Sequence, residues 1–150
     1  MAPGYELRQA TDADFEFLWH LHRAAMRPYV ERTWGWDEDA QARRFRAAFD
    51  PSHRQIVIVG GEPIGVLQVD DLPRAVFLAN VEIDPAHQRR GLGRALVESV
   101  LDRARSLGMP VTLQVLRVNP VRRLYERLGF RVTGETPTHY LMLWEPGETG

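Results

Sequence analysis

Residues 81–93 read Val81-Glu82-Ile83-Asp84-Pro85-Ala86-His87-Gln88-Arg89-Arg90-Gly91-Leu92-Gly93. An extended apolar run stops at Pro85, a basic turn follows, and a Gly-x-Gly pair opens a long amphipathic stretch. The pattern predicts a strand, a turn and a helix. The first helical turn exposes unpaired amide N–H groups and carries a partial positive charge, which makes it a natural seat for phosphate. Cations are unfavourable there, yet Arg89, Arg90 and Arg94 cluster at this point, and no acid stands between Asp84 and Glu98. A bound polyanion turns that cost into a gain. The turn is therefore read as a phosphate site.

Downstream, Leu92, Leu96, Val100, Ala104 and Leu107 line one helical face, and Gly108 closes the helix. Val111 to Leu116 is a strand. Asn119-Pro120 reads as N-cap and first residue of a further helix, with Gly129 ending it. Phe130–Gly134 and His139–Trp144 supply the last strands. Upstream, Ala75–Asp84 is a strand preceded by a hairpin, Gln55–Val59 and Ile64–Val69, joined at Gly60-Gly61. At the start, Tyr5, Leu7 and Gln9 alternate as a strand. Thr11 and Asp14 form a capping pair, and Phe15, Leu18, Leu21 and Ala25 recur at helical spacing. Pro28 is expected to end that helix, leaving Tyr29–Trp36 as an aromatic connection to a second helix that Asp37 caps, with Ala42, Phe45 and Phe49 on its face. The order β-αα-βββ-α-β-α-ββ, with hairpins first and one central crossover helix, indicates a mixed α/β sheet.

A chain of 150 residues with 44% hydrophobic content is long enough for one domain over 1–150 with a real core. The net charge of −1 gives no reason to expect a nucleic-acid or anionic-membrane partner. No apolar run approaches the roughly 20 residues of a membrane span, and the N-terminus lacks the marks of a signal peptide, so a cytoplasmic location is expected. There is no cysteine, which excludes disulfides and covalent thiol catalysis, and no lysine, which excludes Schiff-base chemistry. No His/Asp/Glu spacing suggests a metal site. A dinucleotide fingerprint needs a third glycine where Leu96 stands, and a P-loop needs a lysine.

Three motifs in this order resemble the GNAT superfamily of acetyl-CoA-dependent N-acetyltransferases. Gln88-Arg89-Arg90-Gly91-Leu92-Gly93 fits the family's Gln/Arg-x-x-Gly-x-Gly/Ala pattern. Val81–Pro85 is similar to its central strand. Asn119 followed by Leu124-Tyr125-Glu126-Arg127-Leu128-Gly129-Phe130 resembles its Asn…Leu-Tyr-Glu-Lys-Leu-Gly-Phe signature, although Asn119 lies six residues before Tyr125 where many members have seven. The resemblance is specific over 75–131 and architectural over 1–70.

The resemblance implies an acyl-CoA N-acyltransferase fold in which the Gln88–Arg94 backbone cradles the pyrophosphate of coenzyme A. The pantetheine arm would pair with the strand edge at Val81 and Ile83. Gln88, Arg89, Arg90, Gly91, Leu92, Gly93 and Arg94 are thus cofactor candidates, with Asn119 and Arg122 beside them; for these last two, a helix cap and a surface role are equal alternatives. Tyr125 is the implied acid toward the departing sulfur, and the Ile83 N–H the implied oxyanion donor. Members that resemble ribosomal-protein acetyltransferases use a glutamate as base where this chain has Gln114. Glu82 is the substitute, with a plain strand glutamate paired to a neighbouring arginine as its alternative. His20 and His22 read as partly buried helix residues.

In this family the connection between the first two helices borders the acceptor site, so Trp34 and Trp36, and more weakly Tyr29, Glu31 and Asp37, are substrate candidates. The indoles would equally serve to plug the core edge. The implied reaction is direct acetyl transfer to a primary amine of a small molecule or peptide N-terminus. A non-catalytic acetyl-CoA-binding sensor is the alternative. Members of the family are often dimers, and nothing in this sequence locates a homodimer interface.

Overall fold

The computed structural model describes residues 4–147. Its strands are β1 Glu6–Gln9, β2 Arg54–Val59, β3 Glu62–Asp71, β4 Val76–Ile83, β5 Val111–Leu116, β6 Arg131–Glu135 and β7 His139–Trp144. They form a seven-stranded sheet in the order β1-β2-β3-β4-β5-β7-β6. Helices α1 Phe15–Trp34, α2 Glu38–Ala48, α3 Leu92–Leu107 and α4 Arg122–Arg127 complete the order read from the sequence. The sheet is mixed, as expected: β4 pairs with β5 in parallel, while β1–β2, β2–β3, β5–β7 and β6–β7 are antiparallel. Contacts group the chain into two compact units. One runs through Gln68 and resumes over Asn80–Gly93; the other comprises Val69–Ala79 and the residues from Arg94 on.

In the first unit, Gly60 and Gly61 both adopt positive φ, 59° and 83°, the handedness a tight β2–β3 hairpin requires. Ala10, Leu18, Leu21, Ile56 and Val66 form a buried cluster with Phe17, Phe45, Phe49 and Ile58 packed against it. The Thr11 backbone N–H donates to Asp14 Oδ2 at 2.8 Å, so the expected capping pair forms at the entry to α1. The Arg8 guanidinium grips the same carboxylate through both nitrogens, at 2.9 and 2.7 Å. That contact holds the Asp14 carboxyl below its ordinary range.

Pro28 does not end α1. The helix continues to Trp34 and stops at Gly35, whose φ is 80°. Proline at this position removes the bond to the Ala24 carbonyl, and Ala24 and Pro28 both lie on an exposed face, where the loss of one helix bond is tolerated. Tyr29–Trp34 is consequently helix, not an aromatic loop. The connection shrinks to Gly35-Trp36-Asp37, and Asp37 caps α2 by accepting from the Ala40 N–H at 3.0 Å.

In the second unit, α3 buries Leu96, Val97, Val100, Leu101 and Ala104. Leu107, expected on the same face, is 51% exposed, because the helix is already unwinding into Gly108. There Met109 N–H bonds back to the Ala104 carbonyl at 2.9 Å, closing the helix through a left-handed glycine. β5 pairs with β7 along its whole length, from Val111↔Trp144 to Leu116↔His139. α4 begins at Arg122, later than the Asn119-Pro120 start. The Asn119 side-chain oxygen accepts from Val121 N–H at 3.0 Å, which closes a turn ahead of the helix instead of capping it. Among the described residues, no helix is long and apolar enough to cross a membrane.

Candidate active site

The turn after β4 is built from the strand outward. Asp84 Oδ1 accepts from Ala86 N–H at 2.9 Å, which folds Pro85–His87 into one 3-10 turn. The Gln88 side chain then donates to the Ile83 carbonyl at 2.8 Å, tying the turn back to the end of β4. That bond uses one amide N–H of the Gln88 side chain and leaves its other N–H, its oxygen and its backbone for a ligand. Arg89 follows with φ 65°, the only non-glycine residue of positive φ among those described, and Gly91 has φ 78°. Left-handed residues in a short loop turn successive N–H groups toward one side, a geometry that binds anions, and α3 starts immediately after. Arg89 and Arg90 are exposed and, among the described residues, have no ion-pair partner. Arg94 differs, since its Nε lies 2.6 Å from Glu98 Oε1. A buried polar atom, His87 Nδ1, also has no partner among the described residues. The donors and the charge fit a diphosphate.

β4 leads into this turn. Its ladder with β5 covers only Val76↔Val111 and Phe77↔Thr112, yet the strand runs on to Ile83. The backbone around Val81 and Ile83 therefore lies beyond that ladder, as an extended thiol arm would require of it.

Glu82 is 5% exposed. A buried carboxylate must be paired or hydrogen-bonded to stay charged. Its partner comes from α1: His22 Nδ1 lies 2.9 Å from Glu82 Oε2. Arg54, whose Nε donates to Gln68 Oε1 at 3.3 Å, lies over the rings of Phe45 and Phe49. Burial pulls the pKa of its guanidinium down, while the negative charge of Glu82 pushes it back up. The sequence alternative for Glu82, a hydrogen-bonded pair with a neighbouring arginine, is replaced by a histidine contact with an arginine acting through the field.

Tyr125, in the second unit, is 8% exposed, and its ring packs 5.6 Å from that of Phe130. Burial pushes the phenol up to about 12, so it stays protonated at neutral pH. Arg122 is held by Glu126, 3.7 Å from its Nε, and by the Tyr140 ring, 4.6 Å from its guanidinium carbon. Gln114 is exposed on β5.

The acceptor candidates separate. Trp36 stacks on Trp19, with centroids 6.3 Å apart and an interplanar angle of 17°, and its Nε1 donates to Glu38 Oε2 at 3.4 Å. These contacts are those of the core-edge alternative. Trp34, at the end of α1, is 58% exposed. Tyr29 lies within the helix, where its carbonyl accepts the Thr33 hydroxyl at 2.8 Å. Glu31 lines a groove of about 670 Å³ along α1 with Arg23, Arg27 and Asp84, and neither Glu82 nor His22 is part of that lining. Among the described residues, no group of three or more His, Asp or Glu side chains is placed to hold a metal ion.

His22 is a partly buried helix residue, as read from the sequence, but its contact with Glu82 was missed, and His20, read the same way, has a side chain that is 58% exposed. His22 stacks on Phe45 at 5.3 Å and lies 6.4 Å from Trp19. One signal pointed to it. An acid inside an apolar strand needs a buried donor, and His22 follows Leu18 by one helical turn on a face that packs inward.

A sequence model of the acetyltransferase (GNAT) family matches residues 15–130. Among curated proteins, the chain is 38% identical over 83 residues to an L-methionine sulfoximine/L-methionine sulfone acetyltransferase of Salmonella typhimurium, covering 54% of this chain and 48% of that protein. It is 40% identical over 55 residues to the ribosomal protein bS18-alanine N-acetyltransferase of Escherichia coli, covering 35% of this chain and 37% of the relative. The chain thus spans about half the length, or less, of these relatives. In fold it is similar to a PaiA N-acetyltransferase from Thermoplasma acidophilum solved with coenzyme A. The TM-score is 0.74 at 16% identity, over 95% of this chain and 99% of the other.

Proposed function

The chain belongs to the acetyltransferase (GNAT) family, and on that footing we propose that it moves an acetyl group from acetyl-CoA to a primary amine by direct attack, with both substrates bound. The observation that carries this reading is the turn at Gln88–Gly93, where left-handed Arg89 and Gly91 aim backbone donors ahead of α3 and two guanidiniums stand unpaired. Acetyl-CoA supplies an activated thioester. The residues that would hold it are the 88–93 backbone with Arg89 and Arg90 at the diphosphate, and Val81 and Ile83 along the arm. Asn119 and Arg122 are weaker contributors, since both are already engaged locally.

The Ile83 N–H is proposed as donor to the carbonyl oxygen that gains charge, a kind of contact worth about 10²–10³ in rate. Glu82 supplies the carboxylate on the side that accepts the amine's proton. Tyr125 serves the sulfur. A phenol near 12 is a weaker acid than a thiol of about 8.5, so complete proton transfer is uphill by about 5 kcal/mol. Tyr125 therefore acts chiefly by donating a hydrogen bond to sulfur as its negative charge develops, and the proton follows from solvent.

For the acceptor, one relative is named for methionine sulfoximine and methionine sulfone and another for an alanine of a ribosomal protein. Both names point to an amino-acid amine, whose nitrogen sits on the carbon adjoining a carbonyl, and that is the class proposed here. Thiol release from acetyl-CoA, followed across a panel of free amino acids, their analogues and short peptides, tests the reading. Turnover with any member supports the transferase. Tight acetyl-CoA binding without turnover across the panel would instead mark a cofactor-binding sensor.

A further inference from the structure

We propose that His22, and not the carboxylate it contacts, is the group that takes the proton of the acceptor amine, with Glu82 acting as its positioning residue. The inference deepens the acetyltransferase reading and rests on it.

The argument starts from access. The Glu82 side chain is 4% exposed and the His22 side chain 24%. The Glu82 carboxylate offers an incoming ammonium group almost no open surface, whereas the imidazole is partly open to solvent. Chemistry then fixes the ring. An ionised carboxylate only accepts hydrogen bonds, so at 2.9 Å the Nδ1 of His22 must be the donor. In the neutral ring this leaves the lone pair on Nε2, and Nε2 has no partner among the described residues. The ring packs against a pair of aromatics that touch each other at 5.5 Å, Phe45 of α2 at an interplanar angle of 29° and Trp19 of α1 at 33°. A carboxylate behind Nδ1 with a free Nε2 in front is the arrangement in which an acid orients an imidazole base and stabilises the imidazolium that forms.

The charges around the pair agree. From β2, Arg54 interacts electrostatically with Glu82 and, less strongly, with Asp50. From α1, the nearby Arg23 is committed to Glu38 at 3.1 Å and to His20 at 3.0 Å. From α2, the group packed on the imidazole is the uncharged Phe45 ring.

In the step proposed, one proton leaves the ammonium nitrogen for Nε2 and the freed lone pair forms the N–C bond. The C–S bond breaks with its electron pair on sulfur. After attack the nitrogen loses its second proton to water, sulfur gains one from water, and His22 returns its own to water. The sum is one amide, one thiol and one proton from one ammonium ion and one thioester.

The test uses the full chain. His22→Asn keeps an N–H donor for Glu82 but has no basic nitrogen. The expected result is a fall in kcat/KM of about 10²-fold, loss of the acid limb of the pH–rate profile, and unchanged binding of coenzyme A. In His22→Ala, added imidazole is expected to restore part of the rate. Long-range proton–nitrogen NMR on the ligand-free wild type should find the neutral ring protonated at Nδ1, a readout that needs neither turnover nor a folded variant. Wild-type rate and pH profile in His22→Asn, or a proton on Nε2 of the neutral ring, would overturn the role of His22 alone. Absence of thiol release by the wild type with every amine overturns the acetyltransferase reading itself, and this role with it.

Discussion

A Cβ added to Gly65 would lie 2.7 Å from the carbonyl oxygen of Glu82 and 3.0 Å from the Cδ1 of Ile83. Glycine at this point of β3 therefore sets how closely the backbone of β4 approaches, exactly where the candidate base system and the oxyanion donor sit next to each other in sequence. Real Cβ atoms do not tolerate 2.7 Å from a carbonyl oxygen, and the backbone on one side has to move. Gly65→Ala is expected to cost about 1–3 kcal/mol through overpacking and to lower acetyl transfer by more than that loss of folded protein explains. Urea unfolding alongside a rate per folded molecule separates the two effects. A rate per folded molecule equal to wild type would show that the position of Glu82 is not under such tight control.

Tyr125→Phe removes the hydrogen bond to sulfur without opening a cavity. Turnover is expected to fall by roughly 10–10²-fold, at or below the usual range for general acid–base groups, with coenzyme A affinity unchanged. Undiminished turnover on the true acceptor removes Tyr125 from the chemistry.

The same phenol links stability to pH. Its folded value is about 12 against an ordinary 10.0, so the folded state holds this proton more tightly. The contribution is fully present below about pH 10 and is lost as pH rises from there through about 12, amounting to about 2–3 kcal/mol. Tyr125→Phe should lack that part of the alkaline loss, which denaturation midpoints measured between neutral and strongly alkaline pH will reveal.

Arg89 combines a left-handed backbone with an unpaired charge. Non-glycine residues in that conformation carry roughly 1–2 kcal/mol of steric cost. Arg89→Gly is expected to raise stability by up to about 1 kcal/mol while weakening coenzyme A binding and flattening its dependence on salt. Arg94→Ala should change binding less, since Arg94 is already paired with Glu98. Calorimetric titration at two ionic strengths decides, and equal losses for the two variants would argue against the distinction.

Asp14 is the corresponding test at low pH. The Arg8 guanidinium, followed by the Thr11 N–H, holds its carboxyl below the usual range against the opposing effect of burial. Stability from this group is present above the unfolded value near 3.8 and is lost as pH falls through the folded value. Because Arg8 is 45% exposed, the pair is screened, and Asp14→Asn should cost only about 1 kcal/mol at neutral pH. The gap between variant and wild type should close as the medium becomes acidic, and a gap that persists in acid would assign the cost to the cap and not to the charge.

Most of the fold was legible in the chain because its signals are local. Gly60-Gly61, Asp37 and Gly108 act through their own backbone or their nearest neighbours, and the hairpin, the α2 cap and the end of α3 appear where those residues stand. The errors were local signals overridden by surroundings. Pro28 lies on an exposed face of α1, where the loss of one helix bond is tolerated, and the Asn119 side chain folded a turn of its own before α4 could use it as a cap.

By itself the sequence determined the strand–turn–helix at Val81–Gly93, the arginines that surround it and the order of elements, since each follows from neighbours a few residues apart. Only the tertiary structure decided that Glu82 is answered by His22, 60 residues away, that Trp36 belongs to a stack with Trp19, and that burial pushes the Tyr125 phenol up to about 12. Periodicity says which face of an element turns inward. What that face meets there, and therefore how a proton or a charge is held, depends on packing between segments that no local pattern relates.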